Sequence, residues 1–125
     1  MSFALKNSDA GALRALAVSL GREEVWYTKL QLEELEVFQY HDLLYKLMDL
    51  MRATDFIYEF DWMGFGKQAD VLIDKPELLE KADLETLRKL FTAHSRNEAL
   101  KDGHMAEMID NGHFQKAVAR LVALL

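Results

Sequence analysis

The stretch Asp102-Gly103-His104-Met105-Ala106-Glu107-Met108-Ile109-Asp110-Asn111-Gly112-His113 decides how the chain is read, because two turn-forming triplets of one type bracket a short helix-like segment. Glycine and asparagine tolerate left-handed backbone, so Gly103 closes one helical region and Asn111-Gly112 ends the next, over Met105 to Asp110. Beyond the second triplet, Phe114, Ala117, Val118, Leu121 and Leu125 predict a last helix that packs through these side chains. Both glycines are therefore expected at helix termini, Gly112 with positive φ.

Working toward the N-terminus, Asp83 caps a helix running to about Leu100, with Leu84, Leu87, Phe91 and His94 on one face. Pro76 to Lys81 reads as a short helix with proline in its first turn and Asp74 as its cap. Another helix is expected from Gly66 to Ile73, after the aromatic group Phe56, Ile57, Phe60 and Trp62. From His41 to Arg52, Leu43, Leu44, Leu47, Leu50 and Met51 form a broad apolar face, the pattern of a core helix. Asn7, Ser8 or Asp9 can cap a first helix with Leu13, Leu16, Ala17 and Leu20 inward, and Gly21 stops it. Residues 22 to 37 are ambiguous: Leu30, Leu32, Leu35 and Val37 fit a strand, whereas Glu33, Glu34 and Glu36 favour a helix. The segment is read as an irregular or partly helical connection. The expectation is an all-α fold, a compact single-domain bundle of about six helices with short connections over residues 1 to 125.

A chain of 125 residues with half its residues apolar can bury a core, and the absence of cysteine removes disulfides and thiolate chemistry. Met1 to Asp9 lack the pattern of a secretory signal and no 18 apolar residues run together, so a cytoplasmic location without a membrane partner is expected. The net charge is −6, and residues 23 to 59 hold nine Asp or Glu against three Lys or Arg. That balance opposes phosphate-driven binding to nucleic acid, even though Gln115, Lys116 and Arg120 would be the reading residues of a helix-turn-helix at the C-terminal corner.

Phe60-Asp61-Trp62, Ala82-Asp83-Leu84, Leu90-Phe91-Thr92, Arg96, Asp102-Gly103-His104, Gly112-His113 and Arg120-Leu121 together resemble the bacterial family called domain of unknown function 6508, over about residues 40 to 125. The resemblance implies a small, mainly helical bacterial protein and brings no activity. It also implies a departure at Arg96-Asn97-Glu98-Ala99-Leu100. The family follows arginine there with an acid, a second arginine and phenylalanine, and here Ala99 stands in place of that second guanidinium.

Four histidines and many carboxylates raise the question of a metal, but no His-Glu-x-x-His pair is present and no short region offers three ligands. On a continuous helix His104 and His113 would point to opposite sides. Neither a metal nor a cofactor is expected. Ser2, Ser8, Ser19 and Ser95 lie in no nucleophile-elbow context, and Gly64-Phe65-Gly66-Lys67 matches no phosphate loop. The leading reading is a non-catalytic protein-interaction module, in the manner of an inhibitor or regulator linked to mobile elements. Its partner would be another protein or a second copy of the chain, with Trp62 and Phe65 as candidate contact residues. The alternative is a small enzyme or ligand-binding protein with an acid/base site at Asp61, Arg96, Glu98 and His104.

Overall fold

In the computed structural model, which describes residues 3 to 125, the elements follow the order α1 (Asn7–Gly21), β1 (Tyr27–Leu32), β2 (Leu35–Tyr40), α2 (Asp42–Ala53), α3 (Gly66–Asp74), α4 (Pro76–Leu79), α5 (Leu84–Leu100), α6 (His104–Asp110) and α7 (His113–Leu124). The fold is mostly helical, with seven helices among the described residues, and it is not strictly all-α. The correction falls on residues 22 to 37, where an antiparallel hairpin pairs Tyr27 with Tyr40 through Leu32 with Leu35. The alternation of Leu30, Leu32, Leu35 and Val37 outweighs the helix propensity of the glutamates, because the opposite face has aromatic groups to bury. Glu33 takes the tight turn at φ +57°, and the Gln31 side chain donates to its carbonyl at 2.9 Å.

Helix ends follow local chemistry. Asp83 accepts the Thr86 amide at 2.8 Å to cap α5, and His41 Nδ1 accepts the Leu43 amide at 3.0 Å to cap α2. Pro76 opens α4, with Lys75 and not Asp74 at the capping position, and Asn7 to Asp9 fall inside the first turn of α1, after Lys6.

One cluster of buried side chains runs through the molecule. Leu13, Ala17 and Leu20 of α1 and Leu44, Leu47 and Met51 of α2 enter it from one side, and Leu87, Leu90 and Phe91 of α5 from another. Phe114, Ala117, Val118 and Leu121 of α7 are fully covered, and α7 touches α1, α4, α5 and α6. Phe114 meets Phe91 edge-on at 5.7 Å and Trp26 at 6.3 Å, so the same ring joins α5 and the start of the hairpin. Arg120 Nε donates to the Ala82 carbonyl at 2.8 Å, tying α7 to the chain entering α5.

A second tie is a guanidinium on the apolar face of α5. Arg88 is buried, donates to the backbone carbonyls of Phe56 at 3.2 Å and Asp55 at 2.8 Å, and pairs with Glu85 at 2.9 Å. Its plane lies over the rings of Phe3 and Tyr58, 3.5 and 3.9 Å from their centroids. It fastens the segment after α2 onto α5.

Gly103 and Gly112 both cap a following helix in the left-handed region, at φ +94° and +81°. They differ in their surroundings. A Cβ on Gly103 would stand 2.7 Å from Phe38 Cε2, whereas one on Gly112 would meet nothing within 4 Å. Gly112→Ala should therefore cost only the backbone term, about 1 kcal/mol, and Gly103→Ala that term plus displacement of Phe38, about 2 to 3 kcal/mol. Urea unfolding of the two variants checks this; equal losses would contradict the close approach of hairpin and glycine.

Candidate functional site

Gly103 and Gly112 each place a histidine at the first residue of the next helix, and both histidines turn toward α5. His94 Nδ1 lies 2.9 Å from His104 Nε2, and His94 Nε2 lies 2.9 Å from His113 Nε2. The rings are close, with His94 centroids 5.1 Å from His104 and 5.0 Å from His113. On one unbroken helix His104 and His113 would diverge. The break at Gly112 lets them converge.

Burial pushes His94 well below the ordinary imidazole range, with the neighbouring rings of His113 and His104 acting in the same direction. Burial, His104 and Lys116 lower His113 to about 4. His104, half-buried, is lowered by burial and by Lys101, while Glu98 and Glu107 oppose the shift. Three neutral rings carry three N–H groups and three bare nitrogens, so the chain of rings has two consistent proton arrangements. In one, His104 donates to His94 and His94 to His113; in the other both bonds reverse. The chemistry available is proton exchange along the chain. Both nitrogens of His94 are occupied in that exchange, and among the described residues no group of three or more His, Asp or Glu is arranged to hold a metal ion.

Glu98 lies one helical turn beyond His94 on α5 and organises the adjoining corner. It accepts the Tyr40 hydroxyl at 2.8 Å and the Met105 amide at 2.7 Å on Oε1, and the Gly103 amide at 3.0 Å on Oε2. The Tyr40 hydroxyl in turn accepts the Ala106 amide at 3.1 Å. Burial and the hydrogen bond to Glu98 raise the Tyr40 phenol far above its ordinary value, so it stays a donor. Orphan amides at the start of α6 are thereby satisfied by a side chain from the preceding helix.

Of the residues expected to form an acid/base site, the structure brings Glu98 and His104 into one corner. Asp61 is exposed before α3 and accepts the Gly64 amide at 3.2 Å. Arg96 is exposed in a different groove, with Arg52, Tyr58, Glu59 and Ala99. Among the described residues no hydrogen bond or ion pair joins Asp61 or Arg96 to Glu98 or His104. Phe65 is buried in the core and Trp62 packs partly buried against it. The buried guanidinium of α5 is that of Arg88, and the histidines that complete the corner are His94 and His113. A signal for Arg88 is present, since it falls on the stripe of Leu84 and Phe91; the two Gly-His pairs repeat one local geometry, but nothing in their spacing points them at His94.

The hairpin offers the other surface of interest. Its inner face is occupied in the half nearer the base: Tyr27 donates to Asp110 at 2.7 Å, Phe38 rests on Gly103, and Tyr40 reaches Glu98. Its outer face carries Leu30, Leu32, Leu35 and Val37 at 43, 56, 70 and 39 % exposure. Register sets Leu30 beside Val37 and Leu32 beside Leu35, a continuous aliphatic strip.

Fold and site define a mostly helical protein whose last three helices are joined by a buried imidazole chain and which displays one apolar hairpin face. The chain belongs to the family of unknown function DUF6508, whose model matches residues 10–125 and so reaches beyond the part from about residue 40 that carries the resemblance. No curated protein and no solved structure matches it. None of the described helices is long and apolar enough to cross a membrane.

The imidazole chain fixes the sign of a pH effect. Unfolded histidines take up protons near pH 6.5, whereas the folded rings resist until about pH 4 for His113. The unfolded state thus binds more protons between these limits, and stability falls as pH falls. Urea unfolding between about pH 7 and about pH 5 should show a loss approaching 1.4 kcal/mol per pH unit for each ring kept neutral. His113→Asn should reduce that slope, and stability unchanged or higher at the acid end would contradict neutral rings.

Proposed function

We propose that the protein is a non-catalytic interaction module that docks a partner protein on the outer face of its hairpin. The observation that carries the reading is the strip of Leu30, Leu32, Leu35 and Val37, four aliphatic side chains exposed together on a two-stranded sheet whose other face is packed at Tyr27, Phe38 and Tyr40. A hairpin is marginal alone, and an uncovered apolar sheet face is a liability unless something binds it.

Charge favours one kind of occupant. Glu33 and Glu34 stand at the tip, and Glu23 and Glu24 at the base beside Arg22, while Lys29 is paired with Glu36 at 3.1 Å. A second copy packed on this face would bring like charges together. A partner segment with aliphatic or aromatic anchors flanked by Lys or Arg meets both the strip and its rim.

Selection of binders from a random peptide library tests this, with the protein carrying Leu32→Asp and Leu35→Asp as the counter-selection target. The expected binders combine Lys or Arg with apolar residues, shift the NMR methyl signals of Leu30, Leu32, Leu35 and Val37, and lose at least about tenfold in affinity for the double variant. Binders indifferent to both substitutions would overturn the reading. A concentration-dependent dimer in sedimentation that the double variant abolishes would make the occupant a second copy and overturn the assignment of a basic partner.

A further inference from the structure

Between β2, α2 and the α5–α6 corner lies a cleft of about 290 Å³. Leu44, Met48 and Met105 form its buried floor, and Phe38, Tyr40 and Tyr45 supply aromatic surface, Tyr45 standing edge-on to Tyr40 at 5.9 Å. Three carboxyl groups line it, from Glu36, Glu98 and Asp102, against one cation, Arg52. That cation is already engaged, by Asp49 at 3.1 Å and the Ser95 hydroxyl at 3.1 Å. Glu36 has its own partner in Lys29. Glu98 and Asp102 have no cationic partner among the described residues, and the three groups bonded to Glu98 are all neutral donors, as suits an acceptor-only carboxylate.

We infer that this cleft receives a cationic side chain of the partner, an arginine above all, with its stem on Leu44 and Met48 and its guanidinium among the aromatic rings beside Glu98 and Asp102. An anion would meet uncompensated carboxylates, and a neutral apolar group would leave them without a counter-charge. Aromatic faces attract a planar cation, and the apolar floor suits the methylene stem of arginine. The volume is at the small end of ligand sites, which fits one long side chain better than an entire small molecule. The inference rests on the interaction reading and deepens it: Val37 belongs both to the aliphatic strip and to the lining of the cleft, so a segment lying on the strip has the cleft mouth at its side.

The test uses the whole protein and two blocked amino acids, Nα-acetyl-arginine methylamide and its neutral isostere Nα-acetyl-citrulline methylamide, followed by methyl and aromatic NMR shifts. Saturable shifts of Leu44, Met48, Met105 and Tyr45 are expected with the arginine probe, and binding of the citrulline probe should be about tenfold weaker. Asp102→Asn, on an exposed residue, should weaken the arginine probe several-fold while leaving the melting temperature unchanged. Shifts that fail to saturate, or equal binding of the two probes, would overturn the inference. The probe does not need the aliphatic strip, so it should bind the Leu32→Asp, Leu35→Asp variant as it binds the parent protein. Failure of the probe with a strip-dependent peptide still bound removes the cleft inference alone; binding of the probe with no strip-dependent peptide supports the cleft and removes the docking face.

Discussion

A neutral imidazole shut away from water needs a partner for each ring nitrogen, and His94 finds both in the two helices that follow its own. One contact reaches His104 at the start of α6, the other His113 at the start of α7. A buried polar group left without its partner costs about 1 to 3 kcal/mol, so each contact favours one placement of the helix it reaches. The α6 helix has only seven residues, too few to hold itself together in isolation. Its position depends on the histidines and on Glu98, which gathers the amides of Gly103 and Met105.

That arrangement propagates to the hairpin. Because Gly103 has no side chain, Phe38 can lie against the α5–α6 corner, and because Glu98 is turned toward the corner, the Tyr40 hydroxyl can bond to it. Tyr27 adds a third attachment at Asp110, the last residue of α6. With the inner face fixed at these three points, alternation along each strand sends Leu30, Leu32, Leu35 and Val37 outward. The apolar strip is thus a consequence of how the polar corner is built, and the cleft beside it is bounded by the same residues.

Much of the helical frame was legible in the sequence because its signals are local. Asp83, Pro76, Gly103 and Gly112 mark boundaries through backbone preference and capping alone, and the apolar stripes of α2, α5 and α7 need only their own spacing. The hairpin was not legible for a physical reason: its turn uses Glu33 at positive φ in place of the usual glycine or asparagine, and its glutamates favour helix until tertiary contacts override them. The site was legible in part. Glu98 and His104 stand close together as a pair, but the roles of His94 and His113 depend on the angle between three helices, which no spacing encodes. Arg88, by contrast, falls in line with Leu84 and Phe91 on the buried stripe of α5, whereas Arg96, eight positions on, is exposed.

The central claim is that His94 is a neutral ring bonded at both nitrogens to neutral neighbours, and the imidazole nitrogen-15 spectrum of the uniformly labelled protein addresses it most directly. At neutral pH each of His94, His104 and His113 should show one protonated and one bare ring nitrogen, and His94 should keep that pattern well below the pH at which a free histidine titrates. A His94 carrying protons on both nitrogens at neutral pH, or titrating as a solvent-exposed ring does, would contradict the account.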